Sequence, residues 1–270
     1  MIRVLGLATC YNRSKKTVNA INKLVKYNPN IRFHFIIVDD NSTDDTKQRL
    51  QYFPQVEVIN GTGSMYYSGG MRLAIAMAKK KKEVYDYCLM FNDDVDFTDH
   101  SIEYLASLTV NTIWVGPTCG KDGKLSYGGI VKYAGWRPKY NMIKGENIEG
   151  QICDTFNANC VLIPWYIFKQ LDNIDPVFTH SMGDFDYGFM ARKAGFSIRV
   201  AQQYVGFCDD NPSIGSWRDT TIPRGERLRR KESPKGLPFK EYFHYLKKNY
   251  GMMTAMIYSA IPYLRILFGK

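Results

Sequence analysis

Phe91-Asn92-Asp93-Asp94-Val95-Asp96-Phe97 is the stretch that decides how this chain is read. Three carboxylates within four positions directly follow the apolar run Tyr87-Cys88-Leu89-Met90, and packing does not explain them. Carboxylates crowded at a strand end raise one another's pKa unless a cation sits among them, and oxygen-only ligands suit a hard divalent ion such as Mg²⁺ or Mn²⁺. The stretch therefore predicts a metal seat at the C-terminal edge of a sheet. Asp is also common in turns and at helix caps, and Asp99 reads more readily as a cap for the next helix.

Outward from this point the chain alternates strand and helix. Ile2 to Ala8 reads as a buried strand. Ser14 to Tyr27 reads as a helix with Val18, Ile21, Leu24 and Val25 on one face. Phe33 to Val38 is a second strand, ended by Asp39-Asp40-Asn41-Ser42, and Thr43-Asp44-Asp45 opens a helix running to about Tyr52. Val56 to Ile59 is a short strand. Gly61, Gly63, Gly69 and Gly70 form a flexible approach to a helix from Met71 to Lys82. Such alternation implies parallel strands with ligands bound beyond their C-terminal ends, which sets the loops after Ala8, Val38 and Phe91 along one rim.

After a helix at Ile102 to Leu108 the pattern becomes mixed. Ile113 to Val115, Cys160 to Ile163 and Ile198 to Ala201 read as strands, and Lys121-Asp122-Gly123-Lys124 as a hairpin turn. Trp165 to Leu171 and Asp184 to Ala194 read as helices, the latter stopped by Gly195. The fold class expected is α/β, a mixed sheet flanked by helices with an amphipathic helical tail. No linker splits the chain before about Pro212, so residues 1–211 are read as one domain and 212–270 as a basic loop and apolar tail.

The chain has 270 residues, 45% of them hydrophobic, which is enough to bury a sizeable core. Its six cysteines form no close pairs, and several lie in apolar runs, which favours a reducing compartment over a disulfide framework. The N-terminal apolar stretch is too short for a secretory signal, so the chain is read as cytoplasmic. A formal charge of +10 suits anionic partners. Lys79 to Lys82 complements the end of a helix. Arg224, Arg227, Arg229, Arg230, Lys231 and Lys235 precede an apolar C-terminus, which favours the anionic inner face of a membrane over nucleic acid. In the aromatic and apolar tail from Phe239, the run from Gly251 is shorter than the about 20 apolar residues a spanning helix needs and is broken by Pro262 and Arg265. It suits a helix lying in the membrane interface, or equally one docked on the protein's own core or in a homodimer.

Four features fall in order along the chain. They are Thr9-Cys10-Tyr11-Asn12-Arg13, Val38-Asp39-Asp40-Asn41-Ser42-Thr43-Asp44, the group Asp93 to Asp96, and Gly183-Asp184-Phe185-Asp186. In this order and at these spacings, over roughly Ile2 to Asp210, they resemble the family 2 inverting glycosyltransferases of the GT-A fold. Within that family the chain is similar to the rhamnosyltransferase-like members that build capsules. Ser233-Pro234-Lys235-Gly236-Leu237-Pro238 and the apolar tail add to this likeness.

The resemblance implies a nucleoside diphosphate sugar as donor and a glycan or lipid-linked glycan as acceptor. Asp40 would accept a hydrogen bond from the ring N–H of the base, which uracil, thymine and guanine possess, favouring UDP, dTDP or GDP. Thr9, Tyr11, Asn12, Arg13, Gly70, Arg72 and Asp93 would line the nucleotide, Arg13 and Arg72 facing the diphosphate. Asp94 matches the family's metal carboxylate, and Asp96, two residues on, would point the same way in an extended loop. Asp184 matches the general base and Asp186 is the second choice, with helix capping as the plain alternative for both. Trp136 and Trp217 are candidate acceptor platforms, as are Tyr66 and Tyr67, with a place in the core or on the rim as the plain alternative. Two departures stand out. Gly183 replaces a Glu common in relatives, and Phe207-Cys208-Asp209-Asp210-Asn211 lacks the family's late His, leaving Asp209 as a substitute ligand. A sugar-phosphate nucleotidyltransferase and a scaffold without catalysis are the competing readings. The first lacks its glycine-rich loop after the first strand, and the acids at Asp40, Asp94 and Asp184 oppose the second.

Overall fold

The computed structural model describes residues 1–209 and 214–269. The expected domain boundary at 211, with Asp210 and Asn211, lies outside the described residues. In chain order the first half runs β1 (Ile2–Cys10), α1 (Ser14–Tyr27), β2 (Ile31–Asp39), α2 (Thr46–Leu50), β3 (Val56–Asn60), α3 (Tyr66–Lys79), β4 (Tyr87–Phe91), β5 (Asp96–Phe97) and α4 (Ser101–Ser107). The middle carries β6 (Thr112–Val115), β7 (Thr118–Cys119), β8 (Leu125–Tyr127), β9 (Gly129–Lys132), β10 (Tyr140–Ile143), β11 (Gln151–Ile152), β12 (Thr155–Phe156) and β13 (Cys160–Pro164). There follow α5 (Trp165–Gln170), α6 (Gly183–Lys193), β14 (Ser197–Val200), β15 (Gly206–Phe207), α7 (Arg224–Glu232), α8 (Phe239–Tyr250), α9 (Met252–Tyr258) and α10 (Ile261–Leu267).

The main sheet has the order β11-β14-β6-β13-β4-β1-β2-β3. β3, β2, β1 and β4 are mutually parallel, while β13 runs antiparallel between β4 and β6. The α/β fold with a mixed sheet is thus as expected, including the change of pattern after α4. Cys10, Asp39 and Phe91 end three neighbouring parallel strands, so their loops share one rim.

The central strands are buried on both faces, as a sheet covered by helices requires. On β1, Leu5 and Leu7 pack with Ile36, Val38 and α3, whereas Val4 and Ala8 pack with Phe33, Phe35, Ile37 and α1. Each such fully buried Leu, Ile or Phe is worth about 1.5–3 kcal/mol over exposure. All six cysteines are free and buried in this interior.

Three local expectations are corrected. The buried face of α1 is Ser14, Thr17, Ala20, Ile21 and Leu24, with Val25 exposed. The face is turned because the Thr17 hydroxyl donates inward to Asp93 at 3.0 Å. The helix expected from Met71 begins at Tyr66, so Gly69 and Gly70 lie inside it rather than in a loop. They are there for close approach: a Cβ on Gly70 would fall 2.7 Å from Thr9 Cβ on β1. Asp99 does not cap α4, whose Ile102 and Glu103 amides donate to the Asn28 side chain at 2.8 and 3.1 Å.

Among the described residues no helix is long and apolar enough to cross a membrane. The tail packs through Tyr245, Leu246 and Ala255 against Phe178, Phe185 and Phe189.

Candidate active site

The loop after β4 brings Asp93 and Asp94 to the rim. Asp93 is buried, and its carboxylate accepts from Thr17 and from Arg13 Nη1 at 3.2 Å. Asp94 is more open and accepts from the same Nη1 at 2.8 Å. Burial pushes the Asp93 carboxyl up to about 6, with Arg13 opposing the rise and the Asp94 charge adding to it. Two crowded carboxylates are therefore held by one guanidinium.

Asp96 does not join them. Val95 N donates to Asn92 O at 3.3 Å, closing a turn, so the alternation expected of an extended loop does not hold. The Asp96 carboxylate instead faces α1, meeting Asn19 Nδ2 at 2.8 Å and Lys23 Nζ at 2.5 Å. Asp209 also points elsewhere. Its side chain is 60% exposed and accepts from Lys121 N at 3.2 Å, drawn to the hairpin between β7 and β8. The neighbour of Asp94 on this strand end is Cys208, whose Sγ lies 3.8 Å from Asp94 Oδ1 and 3.6 Å from Asn159 Nδ2. Among the described residues no three His, Cys, Asp or Glu side chains form a group that could hold a metal ion. The residues still fit a cation of the Mg²⁺ type, which takes one or two carboxylates and completes its shell with substrate phosphates and water. Asp94, with Asp93 beside it, is the pair available.

Most of the expected nucleotide contacts build the rim rather than line it. Asp40 is buried, with Oδ1 accepting from Gly63 N at 2.8 Å and Oδ2 from Met65 N at 2.9 Å and Tyr66 N at 3.0 Å. A carboxylate is the acceptor such free amides at a helix start favour. Asp39 accepts from Ser42 N at 3.0 Å. Asn12, at φ 51°, accepts from Thr43 N at 2.8 Å and so joins the loops after β1 and β2. The Thr9 hydroxyl donates to Val38 O at 3.2 Å and lies under Gly70. Arg72 Nη1 donates to Phe178 O at 3.0 Å and Asp175 O at 3.3 Å, anchoring the loop that leads to α6. Tyr11, Asn12 and Arg13 are the members of that group substantially exposed at the rim.

Asp184 stands in the first turn of α6. Its carboxylate accepts from Phe185 N at 2.9 Å and Ala158 N at 3.3 Å, and burial pushes it up to about 6. Two residues on, Asp186 takes a different course. It is 3% exposed, accepting from Lys248 Nζ at 2.7 Å and Asn249 Nδ2 at 3.0 Å of α8, so it ties the tail to α6. Gly183 has no room for the Glu of relatives, since a Cβ there would lie 2.9 Å from Ser68 Cβ and 3.1 Å from Ile174 Cγ2. Trp217 is buried beside α7, its carbonyl accepting from Arg227 Nε at 2.9 Å, and is not an open platform. Trp136 is exposed and packs edge-on against Tyr258 at 5.5 Å.

Two site groups escaped the sequence reading. His180 Nδ1 accepts from Tyr67 N at 3.4 Å, which leaves the proton on Nε2. Burial, with the charges of Lys235 and Arg13, pushes this imidazole down to about 4, so it is neutral. Cys208 is the other, set against Asp94. The signal for His180 was its position four residues ahead of Asp184; Cys208 had none beyond adjoining Asp209. Tyr67 Oη is buried without a hydrogen-bond partner among the described residues, and burial together with the Asp184 charge raises its pKa well above the usual phenol value.

The family model for glycosyl transferase family 2 matches residues 7–151, more than half of the chain and inclusive of Arg13, Asp40, Asp93 and Asp94. The chain belongs to glycosyl transferase family 2. No curated protein matches this family 2 chain in sequence. Among solved structures it is similar to the mannosyltransferase PcManGT from Pyrobaculum calidifontis in complex with GDP-Man and Mn²⁺, with TM-score 0.55, 12% identity, and coverage of 99% of this chain and 73% of that one. It is also similar to GalNAc-T7 with UDP, GalNAc and Mn²⁺, with TM-score 0.57, 11% identity, and coverage of 93% of this chain and 59% of that one. S. aureus TarS 1-349 matches with TM-score 0.56, 12% identity, and coverage of 98% and 81%. These likenesses show the GT-A fold, and the family gives the reaction class as glycosyl transfer.

Proposed function

We propose that this family 2 chain moves a sugar, with inversion, from a UDP, dTDP or GDP sugar to a hydroxyl of a glycan or lipid-linked glycan. The subgroup proposed is the rhamnosyltransferase-like capsule enzymes. The observation that carries the reading is the pair of unlike acidic sites. Asp94 and Asp93 are compensated by a guanidinium, whereas among the described residues Asp184 is met by the main-chain amides of Phe185 and Ala158 and by no cation. Carboxylates whose surroundings differ in this way divide into charge binding and proton transfer.

Asp184 takes the proton from the acceptor hydroxyl as that oxygen attacks the anomeric carbon, and a pKa near the working pH suits the task. Attack from the face opposite the leaving group gives inversion. His180, neutral and protonated on Nε2, offers a donor beside Arg13 without adding charge. Asp40 has about one acceptor position left after its three amides, enough for the ring N–H of a base. A Mn²⁺ or Mg²⁺ ion held by Asp94 and Asp93 would neutralise charge on the departing diphosphate. PcManGT with GDP-Man and Mn²⁺, and GalNAc-T7 with UDP and Mn²⁺, support this donor and cation class.

A screen of UDP, dTDP and GDP sugars for slow hydrolysis with Mn²⁺ or Mg²⁺ is expected to single out one nucleotide. Turnover of none, with either metal, would overturn the reading. With the donor found, the rate is expected to climb as pH rises through about 6, because the base must be ionised, and then to level off. A rate unchanged between about pH 5 and 8 would remove Asp184 from this role.

A further inference from the structure

We infer that the exposed face of α9 and α10 is a docking surface for an anionic phospholipid bilayer. Met253, Met256, Ile257, Leu264, Leu267 and Phe268 are all exposed, Met253 by 66% and Phe268 by 73%. Their spacing of three, four, eleven, fourteen and fifteen from Met253 is one helical stripe. Ser259 and Ala260 between the two helices keep right-handed helical backbone, so the stripe runs unbroken from one to the other.

The opposite face is inverted relative to a helix packed in water. Thr254 and Ser259 are buried, 1% and 3% exposed, and the Thr254 hydroxyl donates to Trp136 O at 3.0 Å. Ala255 and Ile266 complete the side that packs on the protein. Polar groups have gone inward and large apolar ones outward. A contiguous outward patch of this kind marks an interaction surface.

Charge decides the occupant. No Asp or Glu follows Glu241 in the sequence, whereas Lys247 and Arg265 do, and the one carboxylate the described residues bring to α10, Glu232 at Tyr263 Oη, is paired with Lys231 Nζ at 2.6 Å. Arg265 is exposed within the stripe region, and the exposed Arg224 reaches the end of α10, where a Cβ on Gly269 would lie 3.9 Å from its Nη2. A second copy of this chain would bring Arg224 and Arg265 against their equals. Anionic headgroups meet them favourably while the apolar side chains enter the acyl boundary. No described helix is long and apolar enough to cross a membrane, so the contact lies in the plane of the surface.

The test is flotation of the full chain at low salt with vesicles of phosphatidylcholine, with and without phosphatidylglycerol, alongside light scattering without lipid. The chain is expected to rise with the phosphatidylglycerol vesicles. Met253→Glu with Ile257→Glu and Leu267→Glu should hold it at the bottom while nucleoside diphosphate binding is retained, which reports folding. Arg224→Glu with Arg265→Glu should lower partition more than about tenfold, each cation at such a surface being worth about fivefold. Wild-type chain that stays at the bottom with anionic vesicles overturns the inference. So does a dimer that the three-Glu variant turns into monomers without any flotation of the parent. None of these residues touches the proposed donor site, so failure here leaves the glycosyl-transfer reading standing.

Discussion

Asp184→Asn is expected to lower sugar transfer by about 10²–10⁴-fold, the range for loss of a positioned acid or base, with nucleoside diphosphate affinity nearly unchanged. The amide keeps the shape, and its one oxygen can still accept from Phe185 N, so the shorter bond at the start of α6 is kept, while its NH2 group would face Ala158 N and the 3.3 Å bond there is lost. It also loses the ability to take a proton. Burial already disfavours the charged carboxylate, so the relief of that cost offsets the lost Ala158 bond, and stability is expected to stay within about 1 kcal/mol of the parent. Transfer rates and calorimetric titration of the nucleotide, run side by side, check this. Reduced nucleotide affinity with unchanged chemistry would assign Asp184 to binding or folding instead.

Asp94→Asn is expected to act in the opposite way. It should remove the dependence of nucleoside diphosphate binding on Mn²⁺ or Mg²⁺ and lower transfer by about 10²–10³-fold, the scale of losing one electrostatic contact to developing charge. Arg13 would keep its bond to Asp93 at 3.2 Å, so the loop after β4 remains in place. Titration with the metal present and absent distinguishes the two acids. In this variant the two curves should coincide, whereas in Asp184→Asn they should stay apart. A variant at Asp94 that retains metal-dependent turnover removes the assignment of the cation to this side chain.

The parallel half of the fold and its rim were legible because periodicity is a local property. Ser14 to Tyr27 shows helical spacing, and the apolar runs at β1, β2 and β4 each end in polar groups. What sequence could not supply was the direction of a side chain whose partner lies far along the chain. Asp96 reads as a companion of Asp94 until Asn19 and Lys23 are seen beneath it. Asp186 reads as a spare acid until Lys248, 62 residues later, reaches it. Asp40 was singled out, but its bonds to Gly63, Met65 and Tyr66 amides depend on how the loop before α3 folds back. The glycines at 69 and 70 misled for a related reason. In isolation they suggest a loose segment, yet their missing side chains let α3 settle on β1.

The tie between α6 and α8 bears on any attempt to work with a shortened protein. Ending the chain near residue 211 would leave Asp186, 3% exposed, facing the gap where Lys248 and Asn249 had been. Orphaning a buried charge costs about 3–5 kcal/mol, with the lower figure apt here because Lys248 is itself about one-third open to solvent. Thr179 N would lose Glu241, and Asp175 both His244 and Lys248, on the loop ahead of Asp184. Trimming the greasy C-terminus for easier expression would thus loosen α6, the helix that carries Asp184, whereas charge changes on its outer face would not.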